Sequence, residues 1–204
     1  MDILQHISRF APLPPELEAE VRSLLKEQRF RKGESFRGAA NFTSYAYYVV
    51  SGSARLFYTL GGKEHTVSFT FPGEFVMISR HVLKTYPDTI AIQFLEPTEV
   101  TVVPQLQVKD AIKESGEVPA TAGLLVLNAA LLQYVSFLEE RVHVMQSMSA
   151  DERYRWIIRR YPRIMECANL TQIASYLGLT KETLYRIRSG RYPLRGNEEL
   201  KIKN

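Results

Sequence analysis

Cysteine is almost absent from this chain of 204 residues: Cys167 stands alone. One thiol excludes an internal disulfide and leaves a cysteine-ligated iron–sulfur cluster without its ligands. Long apolar runs are missing too, since no stretch approaches the roughly 18 residues that span a bilayer. The first ten residues, MDILQHISRF, lack a basic segment followed by an apolar one. No secretory signal is therefore expected, and the chain is placed in the cytoplasm with no membrane partner. Histidine is sparse: His6, His65, His81 and His143 show no ligand spacing, so neither a metal nor haem is expected.

What is there is an uneven distribution of charge. The net charge is +4. Residues 1–150 hold 14 Lys and Arg against 16 Asp and Glu, whereas residues 151–204 hold 12 against 6. A small basic C-terminal part on a near-neutral body points to a polyanion-binding module attached to something else.

The texture of the chain changes three times. Residues 14–27, PPELEAEVRSLLKE, open on Pro and carry acids in the first turns, as a helix N-terminus does. From about 28 to 103, short β-rich runs alternate with turn residues. Gly61-Gly62 between two such runs predicts a hairpin, and Pro72-Gly73 predicts another turn. Many short strands with regular Gly punctuation predict an antiparallel barrel or roll. The segment 118–147 then predicts one long helix. Leu124, Leu127, Leu131, Tyr134, Leu138, Arg141 and Met145 recur at alternating steps of three and four, a heptad seam with one charged exception. Leu125, Leu132, Val135 and Val142 lie to the side and could pack on the roll. A helix with two apolar faces is shared between its own roll and a second copy of the chain. Ser149 with Glu152 three residues on fits a capping box, so a new helix begins near Ala150 and runs to about Arg160.

The stretch LTQIASYLGLTKETLYRIR, residues 170–188, predicts a helix-turn-helix. Ile173, Leu177, Leu179, Leu184 and Ile187 fall where two short helices must pin together, and Ala174 is small where they cross. Gly178 stands at the turn, where a left-handed backbone is easiest without a Cβ. Thr180 is a natural N-cap for the second helix. Lys181, Glu182, Thr183, Tyr185, Arg186, Arg188 and Ser189 remain on the surface. They include an acceptor, long donors and hydroxyls, as reading base edges in a major groove requires. Thr171, Gln172, Thr180 and Arg191 complete the set of expected DNA contacts, with Arg188 and Arg191 assigned to phosphates.

In that order (roll, long helix, linking helix, C-terminal helix-turn-helix) the chain resembles the Crp–Fnr family of bacterial transcription regulators over nearly its whole length. RFRKGESF, YYVVSGSARLFY, GGKEHTVSFTFPGEF and LEPTEV resemble the family's cyclic-nucleotide-binding-type roll, and IASYLGLTKETLYRIR resembles its DNA-reading helices. The resemblance implies an α+β fold with three parts. These are an antiparallel β-roll of jelly-roll type over 1–117, a dimerisation helix over 118–148, and a DNA-binding helix-turn-helix domain over 149–204. It implies double-stranded DNA, a second copy of the chain and RNA polymerase as partners, and no catalytic residues. The family's base-reading pattern, similar to Arg-Glu-Thr-x-x-Arg, here reads Lys181-Glu182-Thr183-Leu184-Tyr185-Arg186. Lys181 loses the rigid bidentate fork of an arginine.

The resemblance also places an effector pocket around Phe75, Met77, Ile78, Asp88 and Thr89 on the roll, with Leu138 and Glu139 on the long helix. In cAMP-binding relatives a second Gly-Glu follows the turn resembling PGEF and takes the ribose, while an Arg takes the cyclic phosphate. In a gapless alignment Met77-Ile78 replaces that Gly-Glu and Asp88 replaces that Arg. A ribose acceptor has become a hydrocarbon and a phosphate-binding cation an anion, so cAMP binding is not expected and the small-molecule effector stays unidentified. Arg80, His81 and Lys84 lie nearby in sequence, either to serve another anion or simply as loop residues.

Two other readings compete. A cupin-like enzyme also uses a small Gly-punctuated barrel, but needs clustered His and Glu ligands, and KEHTVSF supplies only His65. A small-molecule-binding module whose basic tail serves protein contacts differs from the regulator in having no salt-sensitive affinity for DNA.

Overall fold

The computed structural model describes residues 2–8, 13–37, 44–76, 89–116 and 120–191. The side chains of residues 6, 7, 120–130 and 133 lie outside that description. The chain divides into two compact units, Met1–Arg141 and Val142–Asn204. The division falls inside the long helix rather than at the Ser149 start of the next one.

The first unit is a two-sheet antiparallel roll carrying helices. It opens with α1 (Ile3–Ser8) and α2 (Pro15–Leu24). The strands follow as β1 (Lys26–Phe30), β2 (Ser35–Arg37), β3 (Tyr45–Ser51), β4 (Ala54–Leu60), β5 (Lys63–Thr70), β6 (Ile90–Phe94) and β7 (Thr98–Pro104). One sheet has the order β1-β7-β3 and the other β2-β6-β4-β5. Gly61 and Gly62 both have positive φ, 57° and 74°, and close the two-residue turn between β4 and β5. That twist matches the right-handed twist of the strands, so the hairpin anticipated there is formed.

The interior is built by alternation. Tyr47 and Val49 of β3, Leu56 of β4, Ile90, Ile92 and Phe94 of β6, and Val100 and Val102 of β7 form one buried cluster drawn from both sheets. Phe30 stacks on Phe94 with ring centroids 3.9 Å apart. The intervening Tyr48 faces the other way, fully buried with Ile3, Leu4, Leu17, Val21 and Ala111. The run Tyr47-Tyr48-Val49-Val50 is apolar throughout because both faces of β3 are covered. Ala111 belongs to α3 (Gln105–Ser115), which follows β7 directly. The segment after β5 joins the β3 edge: Val76 N–H donates to Tyr47 O (2.9 Å) and Gly73 N–H to Val49 O (2.9 Å).

Helix α4 (Ala120–Ser147) then runs for 28 residues. The described side chains of the expected seam differ in exposure. Tyr134 is half-buried beside Phe137, with ring centroids 6.5 Å apart, and burial pushes its phenol pKa up. Arg141 turns to the roll and donates to the carbonyls of Thr66 and Val67 on β5. The exposed large apolar residues are Leu131, Leu132, Val135, Leu138 and Val142, at 37–60% of full exposure. Leu132 and Val135, set to the side of the seam in the sequence, are thus largely exposed. Of the expected seam, Leu131 and Leu138 are exposed and Tyr134 is half-buried. Alternating steps of three and four fix only the period of a stripe, and stripes rotated by one residue obey it equally. Leu124, Leu127 and Leu125 lie in the helix with side chains outside the described residues.

The second unit contains the end of α4, then α5 (Ala150–Arg160), α6 (Ile164–Cys167), α7 (Leu170–Leu177) and α8 (Lys181–Arg188). Ser149 and Glu152 form the expected capping box: Ser149 Oγ accepts from Glu152 N–H, and Glu152 Oε2 accepts from Ser149 N–H at 2.8 Å. Ile157, Ile164, Ile173, Tyr176, Leu177, Leu184 and Val144 are at or below 1% exposure and make a small core of their own. Trp156 stacks on Tyr176 with centroids 6.2 Å apart.

Candidate nucleic-acid interface

Helices α7 and α8 meet at a three-residue turn, Gly178-Leu179-Thr180. Gly178 has φ 65° and ψ 34°, the left-handed conformation that ends a helix most readily without a side chain. Asn169 starts α7 with a full capping box: its Oδ1 accepts from Gln172 N–H at 2.9 Å, and Gln172 Oε1 accepts from Asn169 N–H at 3.0 Å. Thr180 starts α8 by accepting from Thr183 N–H at 3.0 Å. Ile173, Ala174, Leu177, Leu184 and Ile187 are buried as their spacing requires, while Leu179 is half-buried. Tyr176, which the spacing argument passed over, is 1% exposed. A tyrosine reads as polar or apolar in a sequence, and its stacking on Trp156 decides the matter here.

The turn is tied to the last turn of α4. The Arg153 guanidinium donates to Met145 O at 2.6 Å, to Leu177 O at 3.2 Å, and through Nε to Met148 O at 3.0 Å. These are carbonyls at two helix C-termini, where backbone acceptors lack intrahelical partners and a cation is favoured. Met145, half-buried, packs on Gly178.

With Leu184 and Ile187 buried, Lys181, Glu182, Tyr185, Arg186, Arg188, Ser189 and Arg191 are all exposed. Four cations surround one carboxylate. This face carries the acceptor and the long donors that base edges and phosphates take. Thr171 is exposed at the start of α7. Gln172, Thr180 and Thr183 are used locally: each has a side-chain oxygen in a helix cap, with Thr180 and Thr183 hydroxyls 3.0 Å apart. Sequence alone ranks these hydroxyls with the surface donors, because capping and ligand contact call for the same residue types.

Of the candidate effector residues, Phe75, Thr89, Leu138 and Glu139 lie among the described ones. Phe75 packs edge-on against Tyr48 with centroids 5.0 Å apart, and so belongs to the core. Thr89 is half-buried, and its carbonyl accepts from Thr59 N–H at 3.0 Å. Leu138 and Glu139 are exposed on α4. Met77, Ile78 and Asp88 lie outside the described residues, as do Arg80, His81 and Lys84. Among the described residues no group of three or more His, Cys, Asp or Glu could hold a metal ion, and no helix is long and apolar enough to cross a membrane.

One buried cation escaped the sequence reading. Arg55 on β4 is 2% exposed. Its Nε donates to Gln93 Oε1 at 2.9 Å and Nη1 to Thr66 Oγ1 at 3.3 Å, Nη2 pairs with Glu64, and the guanidinium lies 4.2 Å from the Phe57 ring centroid. Every edge of the group is used, so it holds β4, β5 and β6 together rather than presenting a free charge.

No protein-family model matches the chain, and no curated protein matches it. Solved structures do. The chain is similar to a protein of Eubacterium rectale assigned to the Crp/Fnr family of transcriptional regulators. The TM-score is 0.68 at 17% identity, covering 91% of this chain and 87% of that one. It is similar to FixK2 from Bradyrhizobium japonicum, with a TM-score of 0.63 at 21% identity over 81% and 83% of the two chains. It is also similar to the c-di-GMP responsive global regulator CLP of Xanthomonas campestris, with a TM-score of 0.62 at 14% identity over 87% and 91%. At these identities the likeness shows the fold. The chain has the antiparallel-sheet and helix architecture of Crp/Fnr-type regulators.

Proposed function

We propose that this chain is a DNA-binding transcription regulator that acts as a homodimer on near-palindromic operators. The observation that carries the reading is the face of α8. Glu182, Tyr185 and Arg186 stand exposed opposite the buried pair Leu184 and Ile187, and Lys181, Arg188 and Arg191 are exposed beside them. A short helix so arranged, following another across a tight Gly turn, fits a major groove with its N-terminal residues toward base edges. Arg186 suits a bidentate contact to guanine, and Glu182 can accept from a cytosine amino group. Dimerisation is supported by Leu131, Leu132, Val135 and Leu138, four exposed apolar side chains within eight residues of α4. RNA polymerase is the downstream partner that such a role entails. The likeness to FixK2, CLP and the Eubacterium rectale protein accords with this role, and a non-enzymatic role fits it. The roll serves as a sensor domain that does not take cAMP, a reading that rests on Ile78 and Asp88.

The test is selection of bound sequences from random duplex DNA by the purified full chain, followed by titration of the selected site at several salt concentrations. A two-fold symmetric consensus with half-sites about one helical turn apart is expected. Binding without a consensus, or no salt-dependent binding, would reject the reading.

A further inference from the structure

Tyr185 is a large aromatic side chain left 59% exposed on a helix whose other apolar residues, Leu184 and Ile187, are buried. Helical geometry shows where it points. At about 100° per residue, the outward direction opposite Leu184 and Ile187 runs between Glu182 and Ser189, and Tyr185 and Arg186 flank it by about 50° on either side. Tyr185 therefore faces outward as fully as Arg186 does. Its neighbours on the helix surface are Lys181 and Glu182 one turn before and Arg188 and Ser189 one turn after. All four are exposed, and none is an apolar residue that the ring could pack on. A ring this exposed in the middle of a charged face still has most of its apolar surface left to bury, which a partner covering it would do.

Among groups in a major groove, the only apolar one that distinguishes a base pair is the 5-methyl of thymine. From these observations we infer that Tyr185 is a specificity-determining residue that covers a thymine methyl, on a base pair neighbouring the one met by Arg186. The inference rests on the DNA-binding reading above and adds a base that reading does not assign. Each half-site then carries a hydrogen-bonded guanine from Arg186 and an apolar thymine contact from Tyr185. The ring faces make the contact, and the hydroxyl is not required for it.

Replacing thymine by uracil removes that methyl and leaves base pairing intact. Each thymine of the selected site is replaced in turn, symmetrically in both half-sites, and the full-length protein is titrated. One position should weaken binding about fourfold per half-site, the factor carried by one buried methyl-sized group. Tyr185→Phe should keep that sensitivity, and Tyr185→Ala should abolish it, binding thymine and uracil sites equally. Loss of binding in Tyr185→Phe with a flat uracil scan would mean that the hydroxyl meets a phosphate, and would overturn the inference. A flat scan for the wild-type protein on a site it selects would overturn it while leaving the DNA-binding reading intact. A protein that selects no site overturns both.

Discussion

Met145 and Gly178 touch across the second unit. A Cβ built on Gly178 would stand 2.4 Å from Met145 Cε, at the end of a flexible side chain. Gly52 in the roll is enclosed differently, since its Cβ would meet Pro97 O at 2.5 Å and Thr98 Cα at 2.7 Å, both backbone. Both glycines have positive φ, 84° at Gly52 and 65° at Gly178. Gly178→Ala should cost about 1–2 kcal/mol, the left-handed penalty, because the methionine can swing aside. Gly52→Ala should cost more, since two chain segments must part. Urea denaturation of both variants gives the order. An equal loss would show that the backbone at Pro97-Thr98 yields easily.

The capping box at α5 makes stability depend on pH. Hydrogen bonds from the Ser149 backbone, and then from its hydroxyl, hold the Glu152 carboxyl below the usual glutamate range. The unfolded chain binds that proton more readily than the folded one. The contribution is therefore present above the unfolded-state pKa and fades as pH falls through the lower folded value. Ser149→Ala should remove about 1 kcal/mol at neutral pH through loss of the N-cap, and Glu152→Gln should flatten this part of the acid limb. Urea midpoints from pH 7 down to pH 3 are the measurement. A Glu152→Gln protein with an unaltered acid limb would remove Glu152 from the account.

Exposed Leu131 and Leu138 lie seven residues apart on α4, two turns along one stripe. Leu131→Asp should give monomers in sedimentation and weaken operator binding sharply, because a carboxylate is costly to bury in an apolar seam. Tyr134→Ala should leave association less affected, since that ring packs beside Phe137 of its own chain. If Leu131→Asp remains dimeric, the second copy does not seat on this stripe.

Arg186 and Arg191 should behave differently although both are exposed arginines. Arg186→Ala should lose roughly 1–3 kcal/mol per half-site and relax selectivity at one base pair. Arg191→Ala should weaken all sequences about equally and flatten the salt dependence. Titrations against the selected site and its single-base variants separate the two. A uniform loss for both would mean that α8 does not read sequence.

Wherever the information was local, the sequence alone determined the structure. Gly61-Gly62 dictated a hairpin through backbone sterics, Ser149 with Glu152 dictated a helix start, and Thr180 did the same for α8. Burial of Ile173, Leu177, Leu184 and Ile187 followed from their spacing, because a helix narrow enough to sit on another has one apolar side. Tertiary structure decided what periodicity leaves open. On α4 it turned Arg141 to the carbonyls of β5 and half-buried Tyr134, while Leu132 and Val135 stand exposed. It buried Arg55 in a strand, where three polar partners from neighbouring strands and the Phe57 ring of its own strand offset the cost of desolvation. It also joined Arg153 to carbonyls at Met145, Met148 and Leu177, because helix ends that expose unpaired acceptors can share one cation only after the chain has brought them together.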